Sequence, residues 1–266
     1  MDKFKGLVLI SDIDGTLIDE NNEVPKENIE AIEYFRAHGG KFTLATGRIP
    51  DALFPVMTGL TLDFPCICHN GCSIYDIYNR KYVNTVPLER RAQRVAEEIM
   101  GISEVSGVEV MTTEGIYVIK RTEATDFHIE FEKISAKYVD SFDEVTVPWF
   151  KILFAQRDEE TWYINEKMMN SPWKNDFTII RTHKLYFEIF NKNASKGNGL
   201  KTLCKEYSID LKDVISIGDN DNDLSMIEIS GIGAATGNAP DYVKEKAQIV
   251  TKTNSEGAVA DLISKL

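Results

Sequence analysis

The run Leu7-Val8-Leu9-Ile10 is unbroken by charge or alternation and passes through Ser11 directly into Asp12-Ile13-Asp14-Gly15-Thr16. A short, continuously apolar segment of this kind suits a strand buried on both faces, as in a parallel sheet covered by helices. Two carboxylates then leave the end of that strand, and Gly15-Thr16 suits a turn. If extended geometry persists past the run, a spacing of two sends Asp12 and Asp14 to the same side. A shared site with two acids has two uses: holding a hard divalent cation, or dividing nucleophilic and acid/base duties. The plainer alternative is a pair of aspartates that only caps backbone amides.

The next segments continue an alternation of strand and helix. Pro25 to His38 carries Ile29, Ile32, Tyr34 and Phe35 at helical intervals, with Pro25 suited to a first turn and Gly39 to a C-terminal cap. A second apolar run, Lys41 to Ala45, ends at Thr46-Gly47-Arg48, and a helix through Asp51 to Gly59 is expected after it. This β-α-β start predicts parallel strands. Cys66 to His69 and Cys72 to Tyr75 flank Asn70-Gly71, a pair suited to the left-handed backbone of a tight hairpin, so the sheet is expected to gain antiparallel strands there.

The middle of the chain changes character. A helical pattern at 88–100 precedes strand-like segments at 107–112 and 115–120; helical patterns at 123–137 and 158–170 and strand-like runs at 149–155, 176–181 and 185–190 follow. Strands paired with helices suggest a separate α+β unit. From Ser195 the first rhythm returns, with a helix near 196–207, a strand Val214 to Ile217, and then Gly218-Asp219-Asn220-Asp221-Asn222-Asp223. Shorter strand-like segments at 231–235 and 248–251 come last. With 266 residues, two units fit the usual domain size better than one. The expected architecture is α/β: a Rossmann-like, mostly parallel core from 1–83 and 190–266, with an α+β unit at 84–189 inserted into it.

Charge narrows the partners. The formal net charge of -12 opposes binding of nucleic acid, whose affinity rests on Lys and Arg neutralising phosphates. No apolar stretch approaches the ~20 residues of a membrane span and no signal-peptide pattern stands at the start, so the protein is expected to be cytoplasmic and free of membranes. Cys66, Cys68, His69 and Cys72 invite a zinc reading, but the cysteines alternate like strand residues and lack the usual spacing with a second pair.

Four segments therefore bring polar residues to strand or helix ends, where open parallel sheets bind ligands. Besides the Asp12/Asp14 pair, Thr46-Gly47-Arg48 offers a hydroxyl and accessible amides to a phosphoryl group. Lys196, beside Gly197 at a helix start, can send an ammonium toward a phosphate or toward the carboxylates. The 218–223 cluster supplies oxygen ligands of the kind Mg²⁺ takes, or, alternatively, an Asx-rich cap for the next helix. Phosphoryl transfer gives all four a role together.

These residues resemble the haloacid-dehalogenase superfamily, in particular its Cof-type phosphatases with a large inserted cap. The resemblance rests on Asp12-Ile13-Asp14-Gly15-Thr16-Leu17, Thr46-Gly47-Arg48, Asn70-Gly71, Lys196-Gly197 and 218–223, in that order along the chain. It implies a small-molecule phosphomonoester substrate, with sugar phosphates the default. It further implies that Asp12 attacks phosphorus, that Asp14 serves as acid and then base, and that Mg²⁺ is held by Asp12, the Asp14 backbone, Asp219 and Asp223. Thr46 and Lys196 would grip phosphoryl oxygens, while Gly47, Arg48, Asn70 and Asn222 would line the pocket. A phosphohexomutase would use the same core residues, and a phosphorylation switch or a non-catalytic phospho-ligand binder are readings from other classes. Substrate choice is expected in the inserted unit, where Arg121, His128, His183 and Glu188 are polar candidates near predicted strand ends.

Overall fold

The structure is a computed structural model that describes residues 2–103, 106–132, 134–183 and 185–266. The side chain of His183 lies outside the described residues. Its contacts divide the chain into one unit of Met1–Asn84 with Ser195–Leu266, and a second of Thr85–Ala194.

In the first unit, β1 (Val8–Ser11) is followed by α1 (Lys26–Ala37), β2 (Lys41–Leu44), β3 (Cys66–Cys68), β4 (Ser73–Asp76) and β5 (Lys81–Thr85). The second unit holds α2 (Ala92–Ile102), β6 (Gly107–Thr112), β7 (Gly115–Lys120), α3 (Glu123–Glu132), β8 (Ala136–Tyr138), β9 (Trp149–Ala155), α4 (Asp158–Met169), β10 (Phe177–His183) and β11 (Tyr186–Asn191). The chain then returns to the first unit with α5 (Lys196–Tyr207), β12 (Val214–Gly218), α6 (Asp221–Ile227), β13 (Ile232–Ala235), α7 (Asp241–Lys244), β14 (Ile249–Val250) and α8 (Ala258–Ser264).

The main sheet of the first unit is parallel, in the order β14-β13-β12-β1-β2. β1 is buried along its whole length because each face meets a helical layer. Leu9 faces Ile32, Phe35 and Leu262 of α1 and α8, whereas Val8 and Ile10 face Leu200 and Leu203 of α5. The strand order reverses at β1: β2 lies on one side, and β12 to β14 lie on the other. The carboxyl ends of β1 and β12 thus flank the crevice where such sheets bind ligands.

Two local expectations give way. No α-helix forms over 51–59; the chain makes a 3-10 turn at Pro50–Leu53 and then irregular turns. Pro55 has no N–H to donate, and its ring clashes with the carbonyl four residues back in a helix. The hairpin loop spans His69 to Cys72, with His69, Asn70 and Gly71 all at positive φ, rather than a two-residue turn. Strands β3, β4 and β5 form their own sheet, joined to the main one by a single bridge between Ala45 and Ile67.

The zinc reading finds no support in the core packing. Cys66, Cys68, Cys72 and Cys204 are buried free thiols. Burial pushes Cys66 up to about 12 and Cys68 well above its ordinary value, so both stay protonated and packed rather than ligating. His69 turns Nδ1 to the Ser73 hydroxyl at 2.9 Å.

The second unit is a six-stranded sheet, β10-β11-β9-β6-β7-β8, antiparallel except for β7 with β8. The end of the predicted 123–137 helix is instead β8, because pairing with the exposed edge of β7 overrides a weak local preference. One face of this sheet packs Val108, Val110, Ile152, Phe154, Phe187 and Ile189 against Val95 and Ile99 of α2 and Ile164 and Met168 of α4. Among the described residues, no helix is long and apolar enough to cross a membrane.

Candidate active site

Asp12 sits one residue beyond β1, its backbone N–H still bonded to the carbonyl of Ile217 at 3.0 Å. This last ladder contact aims it across the crevice toward the end of β12. Extended geometry stops there, since Gly15 adopts φ +72° in the turn that follows. Asp12 and Asp14 therefore part: Asp12 is buried, while the Asp14 side chain is 56% exposed and paired with Arg48. That pair is bidentate, with Arg48 Nε donating to Asp14 Oδ2 at 2.9 Å and Nη2 to Oδ1 at 2.6 Å.

Lys196 enters from the first turn of α5, which Ser195 caps by accepting the Asn198 N–H at 3.1 Å. Gly197 lets α5 approach α6 closely: a Cβ there would stand 2.2 Å from the Ser225 carbonyl oxygen. The approach brings the fully buried Lys196 ammonium to 2.5 Å from Asp12 Oδ1 and 2.6 Å from Asp223 Oδ1. Burial disfavours the ammonium, but the charges of Asp12 and Asp223 outweigh it and hold Lys196 above its ordinary pKa.

The capping reading of the 218–223 segment is realised. Asn220 caps α6, and Asp223 completes a capping box, its Oδ2 accepting the N–H groups of Asp219 at 3.0 Å and Asn220 at 3.1 Å. The same carboxylate uses Oδ1 for Lys196, so helix capping positions a site residue. Asp219 is oriented by the Thr16 hydroxyl, which donates to its Oδ1 at 3.3 Å. The absence of a side chain at Gly15 makes room for Asp219, whose Oδ2 would be 2.5 Å from a Cβ at that position.

Carboxylate oxygens of Asp12, Asp219 and Asp223 all lie within 4.8 Å of one another. Three acids with one internal cation form an all-oxygen donor set with surplus negative charge, which fits a hard divalent ion. The Asp14 carboxylate is not in this group. Burial first, then the charge of Asp223, holds Asp12 well above its ordinary value and pushes Asp219 up to about 6.

These shifts set a pH dependence. A carboxyl whose folded pKa exceeds its unfolded one binds its proton more tightly when folded. Its contribution to stability is full below the unfolded value of 3.8 and, for Asp219, is lost as pH rises through about 6. A divalent cation takes the proton's place, so the Mg²⁺-induced rise in melting temperature should be larger at pH 7.5 than at pH 5. An equal or larger rise at pH 5, measured by calorimetry with and without EDTA, would contradict this arrangement.

The remaining residues named from the sequence lie on the neighbouring loops. Thr46 is buried, and its Oγ1 accepts the Arg48 N–H at 3.1 Å. Asn222 donates from Nδ2 to Asn70 Oδ1 at 3.0 Å, and a Cβ on Gly47 would lie 3.0 Å from that same Asn70 oxygen. Two polar residues were not singled out in the sequence. Thr16 belongs to the first motif but had no role, and Asn238, which donates to the Gly15 carbonyl at 2.8 Å, sits in a turn whose only signal is Gly237 and Pro240 around it.

Residues 9–263 match the model of the haloacid dehalogenase-like hydrolase family. Phosphatase YwpJ of Bacillus subtilis is 28% identical over 287 residues, covering 96% of this chain and 98% of that protein. The 5-amino-6-(5-phospho-D-ribitylamino)uracil phosphatase YwtE of the same organism is 29% identical over 282 residues, covering 96% of each chain. The crystal structure of a haloacid dehalogenase-like hydrolase from Bacteroides thetaiotaomicron shares the fold with a TM-score of 0.85 at 23% identity, covering 98% of this chain and 99% of that one. With a family model spanning nearly its whole length and its acidic residues gathered at the switch point of the parallel sheet, this chain belongs to the haloacid dehalogenase-like hydrolase family.

Proposed function

We propose that the protein is a cytoplasmic, Mg²⁺-dependent phosphomonoester hydrolase that acts on small phosphorylated metabolites, sugar phosphates foremost, through a phosphoryl group carried on Asp12. The observation that supports this reading most is the buried triangle of Lys196, Asp12 and Asp223, with Asp219 beside it. In this reading Asp12 is the nucleophile, Lys196 the fixed cation, and Asp12, Asp219 and Asp223 the metal ligands. The relatives named above act as phosphatases by their names, and one of them takes a phosphorylated ribityl compound.

In this reading an Asp12 oxygen bonds to phosphorus as the ester P–O bond breaks, and Asp14 gives a proton to the departing alkoxide. Water then adds to phosphorus, its proton passes to Asp14, and the bond from Asp12 to phosphorus breaks, returning both acids to their first state. Both Asp14 oxygens accept N–H groups of Arg48 in this conformer, so the pair must open before Asp14 reaches the alkoxide; the freed guanidinium can then bind a phosphoryl oxygen. Lys196 counters the burial that raises Asp12, favouring its ionised form, and presents positive charge to the incoming group. Asp12, Asp219 and Asp223 would hold Mg²⁺, which would supply neutralisation of the phosphoryl charge.

Release of inorganic phosphate from a panel of phosphorylated metabolites and an aryl phosphate tests the reading. Mg²⁺-dependent release that EDTA abolishes is the expected result. An isomerised hexose phosphate without free phosphate, or a persistent phosphoprotein without turnover, would overturn it.

A further inference from the structure

The loop that carries the first motif gathers its backbone donors on one atom. The N–H groups of Thr16, Leu17 and Ile18 all donate to the Ile13 carbonyl, at 3.2, 2.9 and 3.1 Å. With those donors turned inward, the carbonyls of the loop need partners from elsewhere in the chain. Asparagine side chains supply them. Asn28 of α1 donates from Nδ2 to the Leu17 carbonyl at 3.0 Å, Asn238 to that of Gly15 at 2.8 Å, and Asn254 to that of Ile18 at 2.8 Å. Two of these amides also accept. Asn28 Oδ1 takes the Ala260 N–H at 2.9 Å, and Asn238 Oδ1 takes the Asn254 N–H at 2.9 Å. Asn238 and Asn254 are therefore bonded to each other as well as to a loop 223 and 236 residues away in sequence.

Burial separates their roles. Asn28 is fully buried and ties α1 to α8, which is a packing role. Asn238 is exposed, in the turn between β13 and α7, and a hydrogen bond that water can replace adds little to stability. Its grip nevertheless falls on Gly15, whose φ of +72° and missing side chain make the room that Asp219 Oδ2 occupies. The residues on either side of Gly15 are Asp14 and Thr16, and the Thr16 hydroxyl orients Asp219. A neutral amide suits this place. A lysine would bring a cation to compete with a metal ion for Asp219, and an aspartate would set an anionic oxygen against the Gly15 carbonyl.

We propose that Asn238, supported by Asn254, is a positioning residue for the acidic cluster. It fixes the Gly15 turn from outside, and through that turn the placement of Asp219 relative to Asp12 at which their oxygens can share one divalent ion. This rests on the reading of the cluster as the Mg²⁺ site of a phosphomonoester hydrolase.

The test compares Asn238→Ala and Asn254→Ala with wild type by calorimetric Mg²⁺ titration, by melting in EDTA, and by phosphate release from an aryl phosphate. For Asn238→Ala the Kd for Mg²⁺ should rise about tenfold and kcat at saturating Mg²⁺ fall by about as much, with KM within about twofold. Its metal-free melting temperature should stay within about 3 °C of wild type. Asn254→Ala frees Ile18, farther from Asp219, and should raise Kd by only about threefold. A lower melting temperature with Kd and kcat unchanged would assign Asn238 to folding alone, and values within about twofold of wild type throughout would leave it without a role. Either result overturns the proposal. Wild type provides a readout that needs no variant. Coupling is reciprocal, so saturating Mg²⁺ should slow hydrogen exchange of the Asn254 N–H, the one that Asn238 accepts, by about tenfold; unchanged exchange overturns the proposal as well. Absence of turnover on every phosphate by a wild type that binds Mg²⁺ would sink the hydrolase reading alone, and the titration and exchange would still decide the role of Asn238.

Discussion

Asp12→Asn should lower kcat/KM for any phosphomonoester by about 10⁴-fold or more while leaving the protein folded. The carboxamide has no anionic oxygen to bond to phosphorus, and it is also a poorer metal ligand. Folding should survive because the amide oxygen can still accept from Lys196, which in the native protein stands 2.5 Å from Asp12 Oδ1. The substitution also removes a carboxylate whose charged form is disfavoured by burial first and then by the charge of Asp223. The metal-free melting temperature should therefore be unchanged or higher. Hydrolysis by the purified variant within about a hundredfold of wild type would remove Asp12 from the nucleophile's role.

Lys196→Met should have the second largest effect, and on stability as much as on rate. It leaves Asp12 and Asp223 buried without their shared cation, a change that costs about 3–5 kcal/mol when a buried pair loses one partner. Denaturant unfolding without metal at pH 7.5 measures it. The loss should shrink at pH 5, since Asp12, already raised by burial, can take up a proton in place of the ammonium. Mg²⁺ should restore part of the stability and little of the turnover, because it replaces the charge but not the hydrogen bonds of Lys196. A cost under about 1 kcal/mol would mean that the acids are neutralised some other way.

Much of this site is legible in the chain because its residues sit where local rules operate. Asp12 follows a run that must be a buried strand, Lys196 follows the cap residue Ser195, and Asp223 stands three residues after Asn220 in a capping box. Each position is set within a few residues of its own element. The departures arise where that locality fails. The expectation that Asp12 and Asp14 point together assumed a strand that continues, but the strand ends at Ser11. The helical pattern over 123–137 yields at its end to the edge of β7, and the one over 51–59 is broken at Pro55.

The alternation of strands and helices, the parallel sheet, the interruption by a second unit, and the polar residues at element ends all follow from local patterns along the chain. Which of those ends meet depends on how the elements pack. Lys196 and Asp12 are 184 residues apart, and their contact depends on α5 closing on α6 at Gly197 and on β12 pairing beside β1. Packing also decides the partnership of Asp14 with Arg48, 34 residues on, which separates the two acids of the first motif. Backbone preference and apolar periodicity act over a turn or a strand, whereas ion pairing acts through space, so the chemistry of Asp12 became specific only when burial surrounded it with Lys196, Asp219 and Asp223.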